Sequence, residues 1–216
     1  MTERLPTIGS VTFASCYVYA PLGAGSGSAR SRSLCAMIKA AEPRLIARYA
    51  RRVRELSLEA PLAAFFDSID LLVPVPASEP LAAPGAVLAD RLAAALVDEG
   101  LARSASAVLR RIGAVPKSRN AAPGRRPTVE RHYHSLAVER ARAPADPARI
   151  VLVDDVVTKG RTLLAAAVRL QESFPRASIG AFALMRTLGF AADVPRLLAP
   201  CVGTIAWRGG DARRDP

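Results

Sequence analysis

The stretch from Arg149 to Leu163 constrains this chain more than any other part of it. Ile150 to Val153 form an unbroken apolar run, the pattern of a parallel strand covered on both faces. Asp154 and Asp155 follow where that strand emerges. Two adjacent ionised carboxylates repel each other unless they meet hydroxyl donors, solvent or a hard cation. Thr158 to Thr162 then make a short turn around Gly160. Beyond it Leu163, Leu164, Ala167, Val168, Leu170 and Phe174 recur as the apolar face of a helix. An anion at that helix's start meets free N–H groups, two Thr hydroxyls and the positive end of the helix dipole. Open α/β sheets take their ligands at the carboxyl ends of their strands, which is where this pattern puts both acids and turn. The bland alternative is a structural strand, turn and helix with a solvated Asp pair at its tip.

A second apolar run, Ile69 to Val75, closes in Pro74-Val75-Pro76-Ala77-Ser78. Two prolines at alternate positions do not fit inside an ordinary ladder, so the strand is expected to finish near Val73 to Val75 and give way to a rigid turn. Val87, Leu88, Leu92, Ala95 and Leu96 then recur at helical spacing, with Gly100 where a C-terminal cap belongs. Ser106 to Ile112 reads as the next short strand, and the order strand, helix, strand implies a right-handed parallel crossover.

Between that strand and the acid pair the chain turns strongly basic. From Leu101 to Arg142 there are ten Lys or Arg against Glu130 and Glu139 alone. Lys117 to Pro127 is rich in Pro, Gly and charge and poor in apolar residues, so about 113–131 reads as a flexible loop. A solvated linker without a ligand is the competing interpretation. His132 and His134 give only two potential ligands with no Cys or His partners nearby, too few for a zinc site. The segment is expected to begin a strand that continues through Leu136-Ala137-Val138.

The acid pair with its loop resembles the phosphoribosyl-pyrophosphate (PRPP) signature of type I phosphoribosyltransferases: four apolar residues, two acids, then a small Thr/Gly loop. The resemblance implies that Asp154 and Asp155 are the catalytic acids on the ribose diol, with Thr158, Lys159, Gly160, Arg161 and Thr162 around the 5′-phosphate. Lys159 and Arg161 depart from the family loop, which usually reads Thr-Thr-Gly-Ala-Thr, by adding two cations. The Val-Pro-Val-Pro turn resembles the ComF-like branch, linked to DNA uptake, and implies pyrophosphate contacts at Pro76, Ala77 and Ser78. The Arg-Gly-Phe-Asn-Gln run that usually follows there is replaced by Leu81 to Val87. A basic loop that closes over the donor implies further pyrophosphate contacts at Arg110, Arg111, Lys117 and Arg119. Mg²⁺ is the implied cofactor, reached indirectly through Asp154 and Asp155. The fold implied is α/β, a parallel-sheet type I phosphoribosyltransferase core with helices on both faces and a small hood from the two ends of the chain. The activity implied is displacement of pyrophosphate from the ribose by a nucleophile. A non-catalytic PRPP or nucleotide sensor and a ComF-like DNA-uptake accessory protein stay open beside it.

Length and charge set the remaining bounds. At 216 residues the chain is large enough for one α/β domain with a small accessory element. Three expectations divide it: a basic helical hood segment over 1–64, a core over 65–207, and a disordered tail over 208–216. Within the first, Pro43 opens a helix whose stripe is Leu45, Tyr49, Val53 and Leu56, leaving a basic opposite face. Gly23 to Ser28 reads as a flexible hairpin or lid, because its spacing fits no phosphate-loop fingerprint. Ile179 to Leu184 and Val202 to Trp207 read as strands. The formal net charge of +11 keeps nucleic acid open as a partner of the basic surface, although aromatic residues for stacking are few. PRPP and an unknown acceptor are the small-molecule partners; a homodimer stays open. No apolar stretch is long enough to cross a membrane, no signal-peptide pattern follows Met1, and Cys16, Cys35 and Cys201 form no disulfide or zinc pattern, so a cytoplasmic location is expected.

Overall fold

The apolar run at 150–153 lies in the middle of a seven-stranded sheet, with helices packed on both of its faces. A computed structural model of the chain describes residues 9–77, 88–116, 126–189 and 191–216. In chain order the elements are β1 (Ser10–Tyr19), α1 (Ser26–Lys39), α2 (Pro43–Leu56), β2 (Leu71–Pro74), α3 (Leu88–Asp98), β3 (Ser104–Ala105), β4 (Leu109–Arg111), α4 (Val129–His134), β5 (Leu136–Val138), β6 (Arg149–Val157), α5 (Arg161–Ser173), β7 (Ser178–Thr187), β8 (Leu198–Arg208) and β9 (Asp211–Asp215). The main sheet runs β3-β2-β6-β7-β1-β8-β9. It is parallel from β3 through β1 and antiparallel at β8 and β9. β4 and β5 make a separate antiparallel pair.

Strand alternation explains why β2 and β6 read as continuous apolar runs. Leu71, Val73, Ile150 and Leu152 pack with Leu163, Leu164, Ala167 and Leu170 of α5 on one face. Leu72, Val151 and Val153 pack on the other with Ile38, Ile46, Val53, Leu92 and Leu96 of α1, α2 and α3. A strand covered on both sides has no polar face to show. The helix ends follow local chemistry. Pro43 starts α2, and the Glu42 carboxylate accepts from the N–H groups of Arg44 and Leu45 at 3.1 and 2.8 Å. Gly100, at φ +74°, ends α3 as expected. Leu101 N–H donates to Leu96 O and Gly100 N–H to Val97 O, the paired closure that a left-handed residue permits.

Five expectations need correction. Ser10–Tyr19 of the expected hood segment belongs to the core instead, because β1 lies inside the sheet, parallel to β7 and antiparallel to β8. The end of the chain is not disordered: Asp211–Asp215 pairs with Thr204–Arg208 across a two-residue turn at Gly209 and Gly210. Both glycines have positive φ, 59° and 78°, which suits a tight hairpin turn. Ser106 to Ile112 is not a strand of the main sheet: within it only Leu109–Arg111 is extended, as β4 of the small pair, and the main-sheet strand β3 precedes it at Ser104–Ala105. His132 to His134 closes helix α4, whose Thr128 hydroxyl caps Arg131 N–H, so no strand begins there. Gly23 to Ser28 leads into α1 and is packed rather than lid-like, with Gly23, Gly25 and Gly27 each against another part of the chain. Of the expected flexible loop, residues 117–125 lie outside the described residues, and its end from Val129 is helical.

Candidate functional site

β2 and β6 are adjacent and parallel, with Pro74 opposite Val153, so their carboxyl ends open side by side. Val75 N–H donates to Val153 O at 2.9 Å, and the next residues of the two strands are Pro76–Ala77 and the acid pair. Contrary to the abrupt strand end expected at Val153, β6 continues to Val157, with Asp154 opposite Ala183 and Val157 opposite Arg186. The two carboxylates therefore sit on a rigid ladder and not on a loop.

The acids differ in environment. Each folds back on the main chain: Asp154 Oδ1 accepts from Asp155 N–H at 2.8 Å, and Asp155 Oδ1 from Val156 N–H at 2.9 Å. Asp155 also pairs with the ammonium of Lys39, at the end of α1. Burial raises the Asp154 carboxyl well above the usual carboxylate range, and the neighbouring charge of Asp155 adds to this. Burial acts in the same direction on Asp155, but the charge and hydrogen bond of Lys39 outweigh it and hold that carboxyl low. The pair thus divides into an ionised member with its own cation and a member that is costly to ionise.

The turn after β6 is shaped by one glycine. Gly160 has φ +83°, and a Cβ there would lie 2.6 Å from Ile205 Cγ2 on β8. Helix α5 starts immediately afterwards with no side-chain cap on its first N–H groups. Thr158 and Lys159 are exposed; Arg161 and Thr162 are half-buried. Both cations of the turn face the C-terminal hairpin. Asp211 accepts from Arg161 Nε at 2.6 Å and Nη2 at 2.7 Å, and from Lys159 Nζ at 3.0 Å. Arg161 Nη1 donates to Pro127 O, and Arg214 Nε to Thr158 O at 2.8 Å. Behind the turn, Thr162 Oγ1 lies 3.5 Å from His132 Nε2. Burial, then the charges of Arg111, Arg161 and Arg131, lower that imidazole to about 4, so it is neutral.

The basic residues expected at a pyrophosphate are used differently. Arg111 is buried, and its guanidinium donates to Ala77 O and Pro76 O, both at 3.2 Å, and to Ser135 Oγ at 2.5 Å. It holds the main chain of Pro76 and Ala77; burial lowers its pKa to about 10, opposed by the nearby charge of Asp154. Arg110 points to Glu139, at 2.6 Å. Ser78, Lys117 and Arg119 lie outside the described residues. No group of three His, Cys, Asp or Glu among the described residues is arranged to hold a metal. With Asp155 engaged by Lys39, the acid pair alone does not fit a protein-held Mg²⁺.

Lys39, Asp211 and Arg214 carry no motif and join the site only through the fold. Only Asp211 has a local signal: Gly209-Gly210 between two extended runs marks a hairpin. No helix among the described residues is long and apolar enough to cross a membrane.

No protein-family model matches the chain, and no curated protein does. Four chains of solved structure match. One is a hypoxanthine phosphoribosyltransferase from Trypanosoma cruzi in a ternary substrates complex. It is 12% identical over 73% of this chain and 72% of that one, with a TM-score of 0.32. A likeness this slight assigns neither a family nor an activity.

Proposed function

We propose that the chain binds PRPP and transfers its phosphoribosyl group to a nucleophile with release of pyrophosphate. One juxtaposition supports this: neighbouring parallel strands end side by side, one in the Pro76–Ala77 turn and the other in Asp154–Asp155 and the turn to an uncapped helix. The three parts of the donor differ in chemistry, and so do these three elements. The acid pair suits a diol, because carboxylates accept hydroxyl hydrogens. The Thr158–Thr162 turn suits a 5′-phosphate through its N–H groups, hydroxyls and cations. The proline turn, braced by Arg111, suits the pyrophosphate.

In the reaction the bond from ribose C1 to the pyrophosphate oxygen breaks, that oxygen keeps the electron pair, and the nucleophile forms the new bond to C1. Positive charge builds on the ribose ring meanwhile, and the nearby Asp155 carboxylate stabilises it electrostatically. Such a step depends on orientation more than on a strong base. Among the described residues Mg²⁺ has no ligand set of its own, and no step is assigned to it.

A sensor without turnover is the second reading, favoured by the way the site's charges are already paired, Asp155 with Lys39 and Asp211 with the turn. Nucleic acid is a further proposed partner, through Arg44, Arg48, Arg51, Arg52 and Arg54 exposed along α2.

Thermal unfolding tests the core of the proposal. PRPP, with and without Mg²⁺, is expected to raise the Tm of the wild type and not of the Asp154→Asn plus Asp155→Asn double variant. If neither protein is protected, PRPP binding is refuted. A pyrophosphate-release screen over candidate nucleophiles then separates transferase from sensor. Single-stranded DNA binding that falls with salt and survives the double substitution supports the nucleic-acid partner.

A further inference from the structure

Resting on the phosphate-turn assignment above, we infer that Asp211 is a built-in counter-anion of the turn and makes it selective for dianionic sugar phosphates. The geometry separates the two cations it touches. Arg161 is fixed: its Nε and Nη2 grip the two Asp211 oxygens at 2.6 and 2.7 Å, and its Nη1 holds Pro127 O at 3.1 Å. Only 20% of its side chain is exposed. Lys159 makes a single contact to Asp211 at 3.0 Å, and its side chain is 60% exposed. A long, solvated ammonium on one hydrogen bond exchanges partners readily, whereas a bidentate guanidinium does not.

The charge balance gives this arrangement a purpose. Two cations against one carboxylate leave the turn with a single positive charge. Without Asp211 the turn and the helix dipole would attract any small anion. With it, an incoming group must draw Lys159 away from a carboxylate that is already in place. A phosphate dianion carries more charge than Asp211 and offers three acceptor oxygens, so it succeeds where a carboxylate or a monoanion gains nothing. Acid does not unlock the contact, because the hydrogen bonds of Arg161 and Lys159 hold the Asp211 carboxyl far below the usual range. The same hairpin places Ile205 against Gly160 and Arg214 on Thr158 O, so β8 and β9 shape the turn as well as its charge.

Calorimetric titration of the full chain with ribose 5-phosphate and with acetate, at low and high salt, tests this. Asp211→Asn keeps an acceptor and removes the charge. The variant is expected to bind ribose 5-phosphate about three- to tenfold tighter, the Coulomb effect of one partly screened charge, with affinity falling more steeply with salt. Acetate, a monoanion, should give no binding to the wild type and measurable binding to the variant; acetate binding equally to both overturns the selectivity. Equal or weaker binding by the variant, when the wild type binds, overturns the inference about Asp211 alone. Should the wild type bind neither ribose 5-phosphate nor PRPP, the phosphate-turn assignment fails and the inference with it. If Asp211→Asn does not fold, the wild type decides: ribose 5-phosphate should shift the ¹⁵Nζ resonance of Lys159 and leave Arg161 ¹⁵Nε in place. An unmoved Lys159 in the liganded protein overturns the exchange.

Discussion

Two glycine-containing turns sit at the same end of the sheet and do opposite things. One follows β1 and leads into α1; the other follows β6 and leads into α5. At the first, the Asp193 carboxylate fills the helix start, accepting from Ser28 N–H at 2.9 Å and Ser28 Oγ at 3.3 Å. Backbone packs around it so closely that a Cβ on Gly27 would lie 1.8 Å from Val194 O. At the second, Asp211 holds the cationic side chains of the turn and leaves the α5 N–H groups without a cap. Only the second turn keeps its helix N–H groups clear of a capping side chain, which is what the proposed phosphate site requires.

Substitution of the glycines is the sharpest way to break this contrast. Gly27→Ala forces a methyl into a main-chain oxygen, and a loss of about 3–4 kcal/mol is expected in denaturant unfolding. Gly160→Ala meets only the flexible Ile205 side chain but is strained by its positive φ, and about 2–3 kcal/mol is expected. Only the second should also abolish ribose 5-phosphate binding by the protein that stays folded. Equal effects of both on the ligand would erase the distinction.

Acid should reach the open turn first. His132, behind Thr162, is held near 4 in the fold, against an ordinary value of 6.5. Between those pH values the unfolded chain binds the extra proton, so stability falls as pH drops from about 6.5 to about 4, by about 3 kcal/mol in total. The Tm of His132→Gln should decline less across that window than that of the wild type. Asp193 behaves otherwise: backbone N–H groups, that of Ser28 foremost, depress its carboxyl. Its contribution is complete above the ordinary carboxylate range and is lost only as pH falls below it.

The smallest effect belongs to the sealed turn. Asp193→Asn should speed hydrogen exchange at the first N–H groups of α1 and lower Tm slightly, leaving ribose 5-phosphate affinity unchanged. A change in that affinity would link the two turns.

What could be read in advance follows from how far each determinant acts. β6 and the start of α5 were legible because double-sided burial, acids and a single glycine are all local. The prolines punctuated β2 for the same reason, and Gly100 marked the end of α3 through its own backbone angle. The place of β1 was not legible because nothing local in Ser10–Tyr19 names its neighbours, β7 and β8. β9 was missed because Asp211 to Asp215 is polar and short, and only its pairing across Gly209-Gly210 makes it a strand. Lys39 lies 116 residues from Asp155, and Asp211 lies 52 residues from Lys159, so both ion pairs exist only once the topology is in place.

The interior position of β1 also bears on how the protein is made. Its partners are residues such as Gly180 and Thr204, so this first strand is synthesised long before either neighbour exists. Until then both of its hydrogen-bonding edges are open, and the side chains that will be buried, including Val11, Phe13 and Val18, are in water. Closing contacts over such separations is slow, and an unpaired apolar strand invites pairing with other chains. Until β7 and β8 follow, β1 is therefore an aggregation-prone segment that calls for chaperone protection.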